Sequence, residues 1–385
     1  MDDSVAEAAL HSAGIHRIVL LAWRDSADPD SGGSERHTSA MAEVWAAAGI
    51  DVTVRTSRVS GQPPRTSRHG YRVVRRGGRI SVFPRVWLGI PRLRSRGTGI
   101  VEVWNGIPWL TPLWTKGANV TWIHHVHEPL WDVMCGPFTG AIGRTVEMRM
   151  APRLYRRSLI CTPGESTRDI LERRLGLGRD SGRISVVPPG VDPAFCPSGL
   201  PDPAPSVLVV ARLVRSKRVE LVIDAMRDVV GRYPVTVLHI VGDGPERARL
   251  EHRARATLGP QRAIFHGAVS QQHLIEAYRS AWILVSASAA EGWGMTISEA
   301  GACGTPAVAT DIAGHQDAVL ANVTGLLVPP SELGRGISQL IANHRLRDKM
   351  GHAARAKAAE LSWERTAWRT ADALVQSASG VARMR

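Results

Sequence analysis

Apolar positions in this chain come in short continuous runs. Each run is followed by a polar, often glycine-containing loop and then by a stretch with apolar residues at helical spacing. Short unbroken runs predict strands buried on both faces, and their alternation with helices predicts a parallel α/β sheet. Arg17–Trp23 opens the series. A polar loop, Arg24–Ser31, leads through Gly32 and Gly33 into a helix predicted over Ser34–Ala48, ended by Gly49, and a strand over Asp51–Thr56. Further strands are predicted at Tyr71–Val74, Ile80–Phe83, Ile100–Trp104, Val120–Ile123, Leu159–Thr162 and Ile184–Val187, with helical regions over Gly140–Arg157 and Glu165–Leu175. Residues 1–15 read as a loose leader.

Pro193–Pro205, rich in proline and small residues, interrupts the alternation and reads as a linker. The pattern then restarts. Strands are predicted at Val207–Val210, Val235–Val241, Ile264–Gly267, Trp282–Val285, Ala307–Thr310 and Gly325–Val328. Helices are predicted over Val219–Val230 and Leu274–Ser280, with another beginning near Met295; the last helix carries Trp363 and Trp368. The expected fold is α/β, with two Rossmann-like doubly wound domains over 1–192 and 206–360, joined by a linker at 193–205. Residues 361–385 are expected to form a helix packing back toward the first domain. Two such domains facing across a cleft are a common setting for a ligand.

Composition narrows the partners. The 385 residues are 44% hydrophobic, as in an ordinary globular chain, and no run approaches the roughly 18 apolar residues of a membrane span. Ile18–Trp23 has no cleavage-like region after it, so no signal peptide is read. Cys135, Cys161, Cys196 and Cys303 are widely spaced, which suggests free thiols and no zinc site. The net charge is +13, and only Lys116, Lys217, Lys349 and Lys357 are lysines. Arginine beside abundant alanine and glycine partly reflects a GC-rich genome. The surplus also suits an anionic partner, and a membrane surface fits it better than nucleic acid, because aromatic residues are only 5% of the chain. The expected location is the cytoplasm, with peripheral contact at the inner face of the membrane.

The chemistry concentrates at strand ends. Ser288–Gly304 holds a glycine-broken loop and the start of a helix, with Glu291 at the loop's mouth and Glu299 eight positions later. Gly292 and Gly294 permit close backbone approach, and a helix starting near Met295 and Thr296 would aim free N–H groups at an anion. Two carboxylates beside a phosphate site more plausibly accept hydrogen bonds from hydroxyls, which suggests a nucleotide sugar. Arg212 and Lys217 follow the first strand of the second domain, where two cations can neutralise a diphosphate. In the first domain, Gly32 and Gly33 lie between a strand and a helix, and His124-His125-Val126-His127-Glu128-Pro129 follows directly on a strand. Asp28-Pro29-Asp30 resembles a metal-binding motif only superficially and lies in a loop that reads as disordered. No metal ligand set is assigned.

Taken together these segments resemble the retaining GT-B glycosyltransferases of glycosyltransferase family 4, over nearly the whole chain. Gly32-Gly33-Ser34-Glu35 resembles the family's N-terminal glycine loop. Ala211-Arg212-Leu213 with Lys217 resembles its phosphate element, and Val241-Gly242-Asp243-Gly244-Pro245 and Phe265-His266-Gly267 resemble two of its turns. Ser288–Glu299 resembles its paired-glutamate signature. The resemblance implies that Glu291 holds donor-sugar hydroxyls and Glu299 the ribose. It implies that Arg212 and Lys217 hold the diphosphate with backbone N–H groups at Gly294, Met295 and Thr296. Gly32 and Gly33 would let their loop approach the phosphates. The family's sugar-contacting histidine matches His124, with His127 as the alternative. Trp293, Ala211 and Arg218 stand where the family more often has phenylalanine, glycine and glycine.

The resemblance implies sugar transfer from a nucleotide-diphosphate donor to a glycan, lipid-linked or small-molecule acceptor, without a cofactor or metal. Polysaccharide, glycolipid or cell-envelope glycan assembly is the expected setting, with natural-product glycosylation as the rival. A GT-B nucleotide-sugar epimerase and an idle nucleotide-sugar-binding subunit are the alternatives.

Overall fold

The structure is a computed structural model and describes residues 3–89, 96–128, 131, 136–178 and 182–383. Pro129 and Cys135 lie outside the described residues. The chain divides into two compact units, Met1–Gly190 with Ser362–Arg385, and Val191–Leu361.

The first unit is built on an eight-stranded sheet. Its strands are β1 (Arg17–Leu21), β2 (Asp51–Thr56), β3 (Arg65–Arg68), β4 (Tyr71–Arg75), β5 (Thr98–Trp104), β6 (Asn119–Ile123), β7 (Leu159–Thr162) and β8 (Ile184–Val186). Their order is β3-β4-β2-β1-β5-β6-β7-β8, and only the β3–β4 pair is antiparallel. Helix Gly33–Ala47 packs Met41, Ala42 and Trp45 into a core that also holds Ile18, Leu20, Val101, Val120 and Trp122. The long C-terminal helix Trp363–Arg383 adds Ala367, Trp368, Ala371 and Leu374 to the same core. Trp45 Nε1 donates to the Ala367 carbonyl at 3.2 Å, and Trp122 Nε1 donates to Thr370 Oγ1 at 3.1 Å.

Four expectations change in this unit and at its boundary. Within residues 1–15, expected to be a loose leader, Asp3–Ser12 is instead a helix whose Leu10 is fully buried in the core shared with helix Trp363–Arg383. Ile80–Phe83 is not a strand. Ile80 is exposed and Phe83 lies in helix Val82–Trp87, where Pro84 suits a first turn but would break a ladder. The Asp28–Asp30 loop is ordered. Asp25 and Asp28 are buried, Asp25 pairs with Arg68 and Arg75, and Arg79 reaches Asp28 and Asp30. Finally, Pro193–Pro205 is a strap on the second unit, not a free linker. Phe195 is buried there, Arg279 Nε donates to the Cys196 carbonyl at 2.6 Å, and Trp282 Nε1 donates to the Asp202 carbonyl at 2.7 Å.

The second unit is a six-stranded parallel sheet, in the order β11-β10-β9-β12-β13-β14. The strands are β9 (Ser206–Val210), β10 (Val237–Val241), β11 (Ala263–Gly267), β12 (Ile283–Ser286), β13 (Ala307–Thr310) and β14 (Gly325–Val328). All are parallel, so the loops after β9, β12 and β13, three adjacent strands, leave from one edge. Helix Val219–Arg232 buries Val219, Val222, Ile223, Met226 and Val229 on one face of the sheet. Helices Gln271–Ser280 and Met295–Ala302 cover the other face through Ile275, Tyr278, Ile297 and Ala300. Cys161, Cys196 and Cys303 are free thiols.

Candidate active site

In the second unit the motif glycines act as spacers between loops. A Cβ on Gly242 would lie 1.9 Å from the Ala211 carbonyl oxygen, and one on Gly244 would lie 2.5 Å from that of Leu213. The turn after β10 therefore lies flat under the loop after β9, fixed by Leu213 N–H to the Asp243 carbonyl at 2.8 Å. Gly242 N–H in turn donates to the Gly267 carbonyl at 2.8 Å, which accounts for the turn after β11.

The loop after β9 is tied equally closely to the loop after β12. Ala289 N–H donates to the Ser216 carbonyl at 2.8 Å. Arg218 has φ +46°, a left-handed conformation that favours glycine, yet its guanidinium donates to the carbonyls of Ala287 at 2.8 Å and Ser288 at 2.6 Å. The side chain thus fastens the two loops where a glycine could not. Lys217 is brought into an ion pair with Glu291, whose Oε1 also accepts from Ser288 Oγ at 2.7 Å. Burial pushes the Glu291 carboxyl up, but the adjacent Lys217 ammonium outweighs it and holds the group below the ordinary carboxylate range. Arg212 lies exposed in the same β9 loop.

Helix Met295–Ala302 starts where the loop ends. Gly294 is its N-cap, with φ +94°, and Met295 and Thr296 supply its first N–H groups. Glu299 lies one turn in, 5% exposed, and its Oε2 accepts from Tyr278 Oη at 2.8 Å. Helix Ala313–Ala318, which follows β13, closes on the loop through Gly314, whose added Cβ would lie 2.5 Å from the Glu291 carbonyl oxygen. Its buried neighbour His315 has Nδ1 2.7 Å from the Thr310 carbonyl and Nε2 2.9 Å from Ser286 Oγ. A carbonyl only accepts, so Nδ1 carries the proton and Nε2 accepts from the serine. Burial pushes this imidazole down despite the pull of Glu291, and it is neutral near pH 7.

In the first unit Gly32 caps helix Gly33–Ala47, and its N–H donates to Glu35 Oε2 at 2.8 Å. Asn105, in the loop after β5, donates from Nδ2 to Ser34 Oγ at 3.2 Å. His124, just past β6, has Nε2 3.2 Å from Nδ1 of His37, a side chain 1% exposed on that helix. The His37 ring packs edge-on against Trp122, His124 and Trp363. Burial, with His127 adding to it, pushes His124 down to about 4, and burial holds His37 well below its ordinary value. His127 is turned toward Glu147: its backbone N–H donates to Glu147 Oε1 at 2.8 Å, and its Nδ1 lies 3.5 Å from that oxygen.

His315, Tyr278 and His37 are site neighbours that the sequence motifs do not mark. His315 follows Gly314 just past β13, and the strand-end rule applied there would have found it. Tyr278 and His37 carry no local signal, because only folding brings them to Glu299 and His124. Among the described residues no group of three or more His, Cys, Asp or Glu side chains is placed to hold a metal.

Two parallel, doubly wound units in one chain are the GT-B fold. Solved structures similar to this chain have it: sucrose-phosphate synthase from Thermosynechococcus elongatus (TM-score 0.76, 21% identity, 93% of this chain and 98% of that one), and the lipopolysaccharide-biosynthesis glycosyltransferase WaaG (TM-score 0.72, 17% identity, 92% and 98%). Anabaena HepE in complex with UDP-glucose is a third (TM-score 0.72, 17% identity, 92% and 98%). The chain belongs to the glycosyltransferases of family 4 and group 1. The model for Glycosyltransferase Family 4 matches residues 31–195, and the one for Glycosyl transferases group 1 matches residues 194–357. A D-inositol 3-phosphate glycosyltransferase 2 of Catenulispora acidiphila is 35% identical over 224 residues, 52% of each chain. A D-inositol 3-phosphate glycosyltransferase of Streptomyces bingchenggensis is 30% identical over 231 residues, 54% of this chain and 51% of that protein. The chain thus spans about half the length of these relatives.

Proposed function

We propose that this protein transfers a sugar from a nucleotide-diphosphate donor to an acceptor hydroxyl, with the anomeric configuration retained and no metal required. The observation that carries this is the Lys217–Glu291 pair, held between the ends of β9 and β12 beside the N-terminus of helix Met295–Ala302. Lys217 is the charge a departing diphosphate needs, with Arg212 and the N–H groups at Gly294, Met295 and Thr296 sharing the load. Glu291, ionised and acceptor-only, takes hydrogen bonds from donor-sugar hydroxyls, and Glu299, oriented by Tyr278, takes those of the ribose. Gly32 and Gly33 let the first unit's loop approach the phosphates. His124 contacts the sugar. It is preferred over His127, whose imidazole and backbone N–H face Glu147.

In the proposed front-face route the departing phosphate takes the acceptor's proton. HepE was solved with UDP-glucose, so uridine nucleotides are the first donors to try. The relatives' names add a small phosphorylated polyol to the acceptor classes, beside glycans, lipid-linked saccharides and natural products. The positive surplus favours contact with an anionic membrane. Calorimetric titration with nucleoside diphosphates in EDTA tests the site. Binding that Lys217→Ala and Glu299→Ala both weaken supports it, and binding that neither changes refutes it.

A further inference from the structure

Residues 137–155 form one continuous helical stretch, followed by a turn at 156–157: helix Pro137–Thr145, a π turn Val146–Met150, and helix Ala151–Tyr155, with helical backbone at each junction. Pro152 has no N–H for the Met148 carbonyl, and the π turn just before it, closed by Ala151 N–H to the Val146 carbonyl, absorbs that loss. The inward side packs Ala151 and Tyr155 into a hydrophobic core with Trp104, Ile123 and Leu171, and its two polar groups are hydrogen-bonded. Glu147 accepts from His127 N–H and from Trp131 Nε1, each at 2.8 Å, and the Tyr155 hydroxyl donates to Glu102 at 2.6 Å.

The outward side also carries large apolar groups, but these are exposed. Phe138 is 80% exposed, Ile142 53%, Met150 56% and Leu154 38%, large apolar groups in one stretch left uncovered by the described residues. Arg149, Arg153, Arg156 and Arg157 are exposed beside them. The stretch contains a single acid, Glu147, and that one is buried. Scattered surface hydrophobics need no explanation, but bulky apolar groups interleaved with arginines and free of exposed acid do. A protein partner's interface core disfavours such a charge excess, and nucleic acid offers nothing for Phe138 or Ile142 to enter. An anionic bilayer satisfies both halves: headgroups take the arginines and the acyl boundary takes the apolar side chains.

We infer that the outward face of residues 137–157 seats the protein on an anionic membrane, with Phe138, Ile142, Met150 and Leu154 entering the interface and the arginines binding lipid phosphates. This locates the membrane contact proposed above and rests on it. The test is co-flotation of the full chain with phosphatidylglycerol vesicles, against phosphatidylcholine vesicles, at low and high salt. The expected result is salt-sensitive binding to phosphatidylglycerol alone. Arg149→Glu with Arg153→Glu should lower the partition coefficient at least about tenfold. Phe138→Ser with Ile142→Ser, which leaves the charge intact, should lower it several-fold at both salt concentrations. All four positions are exposed, and an unchanged melting midpoint confirms that the variants fold. Wild-type protein that fails to float ends the membrane contact altogether. Wild-type and both double variants floating alike ends the assignment of this face alone, and loss only in the arginine variant ends the claim of apolar insertion.

Discussion

The Lys217 ammonium and the Glu291 carboxylate, 74 positions apart in sequence, meet as an ion pair between the loops that follow β9 and β12. Each sets the other's chemistry. Lys217 keeps Glu291 ionised against its burial, and in the proposed function Glu291 would hold Lys217 where a diphosphate could share it. Lys217→Ala should weaken nucleoside diphosphate binding on the order of 10- to 100-fold, the worth of one charge-assisted contact. It should also move the acid limb of the kcat/KM profile. The pair lowers the Glu291 pKa in the folded protein, so its ionised form persists as pH falls until that pKa is reached. Without Lys217, burial dominates, and activity should be lost at a higher pH. An acid limb in the same place in both proteins would separate Glu291 from the reaction.

Tyr278 acts on Glu299 from the neighbouring helix, through a 2.8 Å hydrogen bond. Tyr278→Phe keeps the ring in the core and removes only the hydroxyl. Donor KM should rise roughly tenfold, with kcat changed much less, because in the proposed function an unoriented Glu299 would grip the ribose poorly in both ground and transition states. Steady-state kinetics with varied donor checks this, and an equal fall in kcat would place Tyr278 in the chemical step instead.

Glycine substitutions separate spacing from flexibility. Gly242→Ala would put a Cβ 1.9 Å from the Ala211 carbonyl oxygen, at a φ of +128°. We expect a loss of more than about 2 kcal/mol and a lower melting midpoint. Gly231, inside helix Val219–Arg232, has nothing within 4 Å of its added Cβ and an ordinary φ. Gly231→Ala should stabilise by about 0.5–1 kcal/mol. Differential scanning calorimetry on both variants decides the matter.

The buried histidines make the first unit acid-sensitive. His124 goes from 6.5 to about 4 on burial and His37 falls well below its ordinary value, so below pH 6.5 the unfolded chain binds protons that the folded unit refuses. The contribution of these two histidines is therefore fully present above pH 6.5 and is lost as pH falls toward 4. His37→Gln removes one of the two groups, and its melting midpoint should decline less steeply over that window than that of the wild type. Parallel declines would show that His37 does not contribute.

The alternation of strands and helices was legible because parallel strands buried on both faces are written as continuous apolar runs. The candidate residues of the second unit stood out for a related reason: glycines and charges cluster just past β9, β10 and β12, and the structure brings Lys217 and Glu291 together there. What escaped was set by distant contacts. Residues 3–12 are helical because Leu10 meets a helix more than 350 positions later, and the Asp25–Asp30 loop is ordered by arginines at 68, 75 and 79. Arg218 looked like a departure from a glycine. Its left-handed backbone explains the glycine, and its two hydrogen bonds to the Ala287 and Ser288 carbonyls explain the arginine.

The most direct test is transfer itself. The full chain is incubated in EDTA with a panel of nucleotide sugars and candidate acceptors, and the product's anomeric configuration is read by NMR. The expected result is an acceptor-dependent product with the donor's configuration, strongly reduced but still measurable in Lys217→Ala. An inverted product, an epimerised donor formed without acceptor, or tight nucleotide-sugar binding with no turnover would contradict it.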